Sequence, residues 1–144
     1  MINLKLEDEG GVLLNLTEDN TVFVVGHSYN VGLMKYADKV WEGKSTRTSA
    51  KYLAYCSCKK DNRKLGWVTD PRISPSCVHV LARITGFRSP GREGYKYDWL
   101  LGERYVVDPP IPLPKGVGRG IFFPTKNNKH LHTPFIALKE RFSK

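Results

Sequence analysis

Apolar positions along this chain fall into short runs, with turn signals between them roughly every ten residues, a rhythm that predicts many short strands. One such run, Val22-Phe23-Val24-Val25, is β-branched and aromatic, too short for a buried helix, and closed by Gly26; it predicts a strand. Helical spacing follows it. Leu33, Ala37, Val40 and Trp41 recur at i, i+4, i+7 and i+8, so they form one apolar stripe, with Ser28 or Asn30 suited to cap the first free amides. Gly43 is placed to end this helix in the left-handed conformation. On spacing alone, Trp41 is the last core residue of that helix.

Elsewhere the pattern is mostly strand-like. Residues 2–6 and 12–16 flank an acidic Gly-Gly turn and predict a hairpin, or two strands of one sheet edge, within residues 1–20. Lys51–Cys58 reads as a central strand with Tyr52, Ala54, Cys56 and Cys58 on one face, and Cys77–Phe87 as a second core strand. Arg88–Gly94 is an exposed loop, and Tyr95–Val107 is a strand followed by another. Prolines in Asp108–Pro114 lack donors, so that stretch is expected to cover the sheet rather than join its ladder, opening a Pro/Gly-rich closing segment over 108–144. Ile121–Phe123 predicts a short strand, and Phe135–Leu138 a last strand or the entry to a terminal turn over Leu138–Phe142. The sum is an α+β chain, one domain over residues 1–144. Its expected core is a small β-barrel of about six strands, with one main helix after the first barrel strand and minor helices or turns.

Charge adds a partner class. The formal net charge is +9, and Lys44 to Lys96 holds twelve Lys or Arg against three acids, while the remainder of the chain balances. Cations gathered in loops around the middle of a domain are the footprint of a polyanion. Lys44, Arg47, Lys59, Lys60, Arg63, Lys64, Arg88, Arg92 and Lys96 are the candidate phosphate contacts. No run approaches the roughly 18 apolar residues of a membrane span. The start, MINLKLEDEGG, lacks the features of a secretory signal. Three cysteines, an odd number, fit a reducing compartment; a cytoplasmic location without membrane association is expected.

The residue types present admit three chemistries. Cys56-x-Cys58 and Cys77-x-His79 have the atom types of a zinc site. An i, i+2 pair on a flat strand nevertheless splays its side chains about 7 Å apart, and buried structural cysteines are common, so no metal is expected. His27 beside Ser28, or His130-x-His132, supplies a nucleophile or base but no motif fixes a third partner or an oxyanion hole. The basic middle also lacks the clustered acids of a metal nuclease. Aromatics beside basic loops are the stronger lead: Trp41, Trp67, Tyr95, Tyr97 and Trp99 border the positive region, and aromatic faces stack on nucleobases at about 1–3 kcal/mol per base.

The stretches VFVVGHSYNVGLMKYADKVWEG, KYLAYCSCKK, VHVLARITGF and YKYDWLL together resemble the PUA-like superfamily and, within it, the YTH and EVE domains. The resemblance runs over residues 21–107, with Val40-Trp41 as the helix-end pair and Tyr97-Asp98-Trp99 as the aromatic-x-aspartate-tryptophan strand. It implies a non-enzymatic module that turns one modified base into an aromatic cage at the barrel mouth and uses no cofactor. N6-methyladenine is the usual ligand of YTH domains, and modified cytosine is proposed for several EVE-like ones. By position Trp41 matches the cage tryptophan, and His27 and Ser28, with Tyr29 beside them, match the turn lining the pocket. The second cage tryptophan has no clear counterpart, so Trp67 or Tyr95 would substitute. Similar modules serve McrB-type restriction systems, where they bind methylated DNA for an AAA+ motor and nuclease on other domains or subunits. Methylated DNA is thus favoured over RNA. The superfamily also holds ASCH-type ribonucleases or esterases, for which Lys44, Arg47 and Thr48 leave room, and RNA-binding modules indifferent to sequence.

Overall fold

The structure, a computed structural model, describes residues 4–5, 14–59, 68–118, 120–125 and 127–142. Its strands are β1 (Leu4–Lys5), β2 (Thr21–Gly26), β3 (Trp41–Lys44), β4 (Tyr52–Ser57), β5 (Cys77–Arg88), β6 (Tyr97–Pro112) and β7 (Gly120–Phe122). Two α-helices, α1 (Ser28–Tyr36) and α2 (His132–Phe142), complete an α+β architecture. The seven strands form one curled mixed sheet in the order β1-β6-β5-β4-β2-β7, with β3 also paired to β6. Among the described residues, only β2–β4 and β1–β6 are parallel. Such a sheet is compatible with a small barrel-like fold.

Strand alternation explains why both faces are dry. Val22 and Val24 of β2, with Leu53 and Tyr55 of β4, pack beneath Val31 and Met34 of α1, together with Val80 and Trp99. Phe23 and Val25, with Ala54 and Cys56, pack beneath Phe135, Leu138 and Phe142 of α2, together with Leu16, Leu81 and Tyr105. A sheet covered on both faces needs nearly continuous apolar strands, which is how β2, β4 and the first half of β5 read.

Several expectations are corrected. The helix stops at Tyr36, not Gly43: Ala37 still donates its N–H to the Leu33 carbonyl at 3.0 Å but is itself extended. Arg104 then donates to the Lys39 carbonyl, and Trp41–Lys44 pairs antiparallel with Tyr97–Leu100. These contacts satisfy the backbone in extended form, and helix propensity is too weak to resist them. Ala37 and Val40 of the anticipated stripe are exposed, whereas Val31 and Met34 are buried. Neither Ser28 nor Asn30 is the cap; His27 holds that position in extended conformation without a side-chain cap bond. Gly43 is a strand residue, required because the Tyr95 ring occupies the space where a Cβ would stand.

Tyr97–Pro112 is one continuous strand, and the proline segment does rejoin the ladder. Between the pairs Val80–Val106 and Val78–Ile111 the longer path of β6 bulges, so Pro109 and Pro110 sit where no interior bond is lost, and Ile111 and Pro112 pair again with β5. Phe135–Leu138 belongs to α2, its buried Phe135, Leu138 and Phe142 falling at helical spacing. Of the anticipated hairpin, Leu4–Lys5 pairs in parallel with Arg104–Tyr105, and Leu14 bonds instead to the Phe142 carbonyl at 2.6 Å. Residues 1–3 and 6–13 lie outside the described residues. Among the described residues, no helix is long and apolar enough to cross a membrane.

Candidate nucleic-acid interface

Where β3, β6 and β5 lie side by side, Gly43 and Arg88 both oppose Asp98, and Trp41 and Gly86 both oppose Leu100. Cross-strand partners share a face, so these residues present one surface, while Glu42, Trp99 and Phe87 point the other way. Asp98 is fully buried. It accepts from Arg88 Nη2 at 2.6 Å and from the Arg92 amide at 3.0 Å, and Arg92 Nε stands at 3.6 Å. Burial alone would raise its pKa, but the Arg88 hydrogen bond, the Arg92 amide and the two guanidinium charges hold it below the usual carboxylate range. The loop between β5 and β6 is folded tightly over this point. Gly91 donates to the Tyr95 carbonyl and Tyr95 to the Arg92 carbonyl, each at 3.0 Å. A Cβ on Gly91 would strike the Tyr97 backbone.

That fold returns two side chains to the surface of β3. Arg92 Cζ lies 5.3 Å from the centre of the half-buried Trp41 ring, and the Tyr95 ring, 46% exposed, covers Gly43. Trp41 and Gly43 are two residues apart on one strand face, a spacing of about 7 Å. An indole capped by Arg92 and an exposed phenol thus stand side by side, an arrangement suited to stacked bases and to phosphates.

Behind this surface runs a polar chain. Lys39 Nζ lies 5.1 Å from the Trp41 ring centre and donates to Asn30 Oδ1 at 2.9 Å. It also pairs with Glu42 at 3.3 Å. Glu42 accepts from Lys44 at 3.3 Å and from the buried Tyr55 hydroxyl at 3.0 Å. Asn30 Nδ2 is 3.1 Å from His27 Nε2. Burial first, then the Glu42 carboxylate, push the Tyr55 pKa well above its usual value, so the phenol stays a neutral donor. Lys39 and Glu42 were not among the sequence candidates. The only signal was their position flanking the tryptophan in Lys-Val-Trp-Glu, which acquires meaning once β3 is known to be a strand.

Other candidates scatter. Ser28 Oγ accepts from the Asp70 amide at 2.9 Å, and Tyr29 is 41% exposed on the first turn of α1. Arg47 stacks on Phe87 at 5.2 Å, in a stretch held down by the Trp99 indole donating to the Thr46 carbonyl at 2.8 Å. Lys96 is exposed, 6.0 Å from the Tyr97 ring centre. Lys44, Arg47, Arg88, Arg92 and Lys96 therefore all come from the β3–β6–β5 region and its loops. Lys59 is exposed after β4, and Lys60, Arg63, Lys64 and Trp67 lie outside the described residues.

Three of the four candidate zinc ligands make side-chain hydrogen bonds elsewhere. His79 Nε2 is 2.9 Å from the Ser74 carbonyl, the Cys56 thiol donates to the Ala54 carbonyl at 3.4 Å, and that of Cys77 to Pro75 at 3.3 Å. Cys58 is buried. Burial raises the pKa of both Cys56 and Cys77. Among the described residues, no group of three or more His, Cys, Asp or Glu is placed to hold a metal ion. A cleft of about 340 Å³ lined by Glu18, Asp19, Ser49 and Phe123 includes none of the residues above, and its two carboxylates do not suit a polyanion.

No protein-family model matches the chain, and no curated protein matches its sequence. Geometry and charge carry the functional reading.

Proposed function

We propose that the protein is a non-enzymatic reader of a modified base in DNA, with N6-methyladenine favoured and 5-methylcytosine next. The base would be flipped from its strand and stacked on Trp41, on a PUA-like barrel of the YTH/EVE kind. The observation that carries this reading is the half-buried Trp41 indole beside Tyr95, with Lys39 and Arg92 over its ring, at the edge of the basic part of the chain. The strand β2, the helix α1 and the later strand β4, parallel to β2, follow the order of that superfamily, although Val40-Trp41 lies beyond the helix rather than at its end.

Flipping costs a few kcal/mol of stacking, least for a base already poorly paired. Stacking on the indole returns about 1–3 kcal/mol, and a buried methyl adds about 0.8 kcal/mol. Transfer of the methyl alone is worth about fourfold, and a pocket fitted to it raises the preference for the modified over the plain base to about tenfold to a hundredfold. Arg47, Arg88, Arg92 and Lys96 would hold phosphates without reading sequence. Chemistry on the bound DNA would fall to a motor and nuclease of a restriction system.

Binding of DNA carrying N6-methyladenine, 5-methylcytosine or neither tests the reading. Trp41→Ala should erase the preference, by about tenfold or more, and leave salt-sensitive background binding. A Trp41→Ala protein that still prefers the methylated duplex would place the pocket elsewhere. Equal affinity for unmodified RNA would favour an RNA-binding module, and turnover of RNA an ASCH-type enzyme.

A further inference from the structure

We infer that Arg92 occupies the stacking face of Trp41 in the free protein and that an incoming base displaces it onto the neighbouring phosphate, so that the site takes a base together with its phosphate. The inference rests on the reading of Trp41 as the stacking residue and deepens it.

Two cations lie over the Trp41 ring, and they are tethered very differently. The Lys39 side chain is 11% exposed and is tied to Asn30 at 2.9 Å and to Glu42 at 3.3 Å. Arg92 is 51% exposed; its amide is pinned to Asp98 at 3.0 Å, but its guanidinium approaches that carboxylate only at 3.6 Å, beyond hydrogen-bond length. The solvent side of the indole is therefore the Arg92 side. A base arriving from solvent meets a cation whose backbone is fixed and whose side chain is held by the 3.6 Å ion pair to Asp98 and by the indole, with no side-chain hydrogen bond to that carboxylate.

The magnitudes favour exchange. An exposed cation over an indole is held about twofold to fivefold, whereas a stacked base is held about fivefold to more than a hundredfold. Once displaced, the guanidinium remains within a side chain's reach of Asp98, the carboxylate that also holds Arg88 at 2.6 Å. Two guanidiniums anchored around one buried acid make a planar, multidentate seat for phosphate oxygens directly beside the stacked base. Entry of the base thus frees the group that binds its phosphate.

Two probes separate the roles of Arg92: N6-methyl-2′-deoxyadenosine, which has no phosphate, and a DNA duplex carrying N6-methyladenine. Arg92→Ala should bind the nucleoside about twofold to fivefold more tightly, because a competitor is gone. The same variant should bind the duplex more weakly, with a salt dependence shallower by about one phosphate contact. Arg92→Lys, which retains the charge, should keep the duplex salt dependence of wild type. A nucleoside affinity that falls or stays unchanged in Arg92→Ala, while wild type binds both probes, overturns this inference alone. Wild type and Trp41→Ala behaving alike toward both probes would overturn the reading of Trp41, and this inference with it.

Discussion

Glu42 and Asp98 lie one register position apart on paired strands, and each is a buried carboxylate serving two cations. Alternation turns Asp98 toward the outer surface, where its arginines are 44% and 51% exposed. It turns Glu42 inward, where its lysines are 11% and 19% exposed and the third donor is the fully buried Tyr55. The same charge pattern therefore has two uses. Arginines at the surface can trade a carboxylate for a phosphate with little loss of hydration, because a guanidinium is weakly hydrated and forks to either partner. Enclosed lysines have nowhere to go, and the acid they share fixes Lys39 beside Trp41.

Removing the inner acid does the most damage. Glu42→Ala leaves the Lys44 ammonium and the buried Tyr55 phenol without this acceptor and Lys39 with Asn30 alone, and should cost about 3–5 kcal/mol in chemical unfolding. A loss below about 1 kcal/mol would make the inner network no different from a surface ion pair.

Asp98→Asn should cost less, about 2 kcal/mol, since its arginines reach water. Its pH dependence sharpens the comparison. The folded-state pKa of Asp98 lies below the ordinary value of about 3.9. The stabilisation from its ionised form is therefore complete above that value and is lost as pH falls through the folded pKa. Urea unfolding of wild type and Asp98→Asn should differ by a constant amount from about pH 7 to 5, and the difference should close below about pH 4. A gap unchanged down to about pH 2.5 would mean that the ionised carboxylate is not what stabilises this point.

The smallest change is Tyr55→Phe. It removes one hydrogen bond and leaves Glu42 with its lysines, for about 1 kcal/mol, and DNA binding should be unaltered. A loss of modified-base preference in Tyr55→Phe would show that the inner network reaches the base, and the division between outer and inner acids would fail.

Legibility from sequence differs between the two regions for the same reason. Trp41 stands out on residue type, and Arg88, Arg92 and Tyr95 on the charge and aromatic content of one loop, whereas Ser28 and His27, named beside them from sequence, bond elsewhere. Glu42 and Lys39 were missed because their meaning depends on which way β3 faces, and helical spacing had hidden that strand. The prolines after Val107 show a milder version. A local rule excluded them from the ladder, yet the bulge between Val106 and Ile111 absorbs Pro109 and Pro110 and lets pairing resume.

By itself the sequence determined β2, β4 and β5, along with the basic middle of the chain. Apolar runs bury wherever they can, and net charge follows from composition. Tertiary structure alone decided that Trp41 opens a strand, that Tyr95 lies over Gly43, and that Arg92 caps the indole. Each of those outcomes depends on β6, whose backbone and buried Asp98 come from far along the chain and supply partners that no local pattern records.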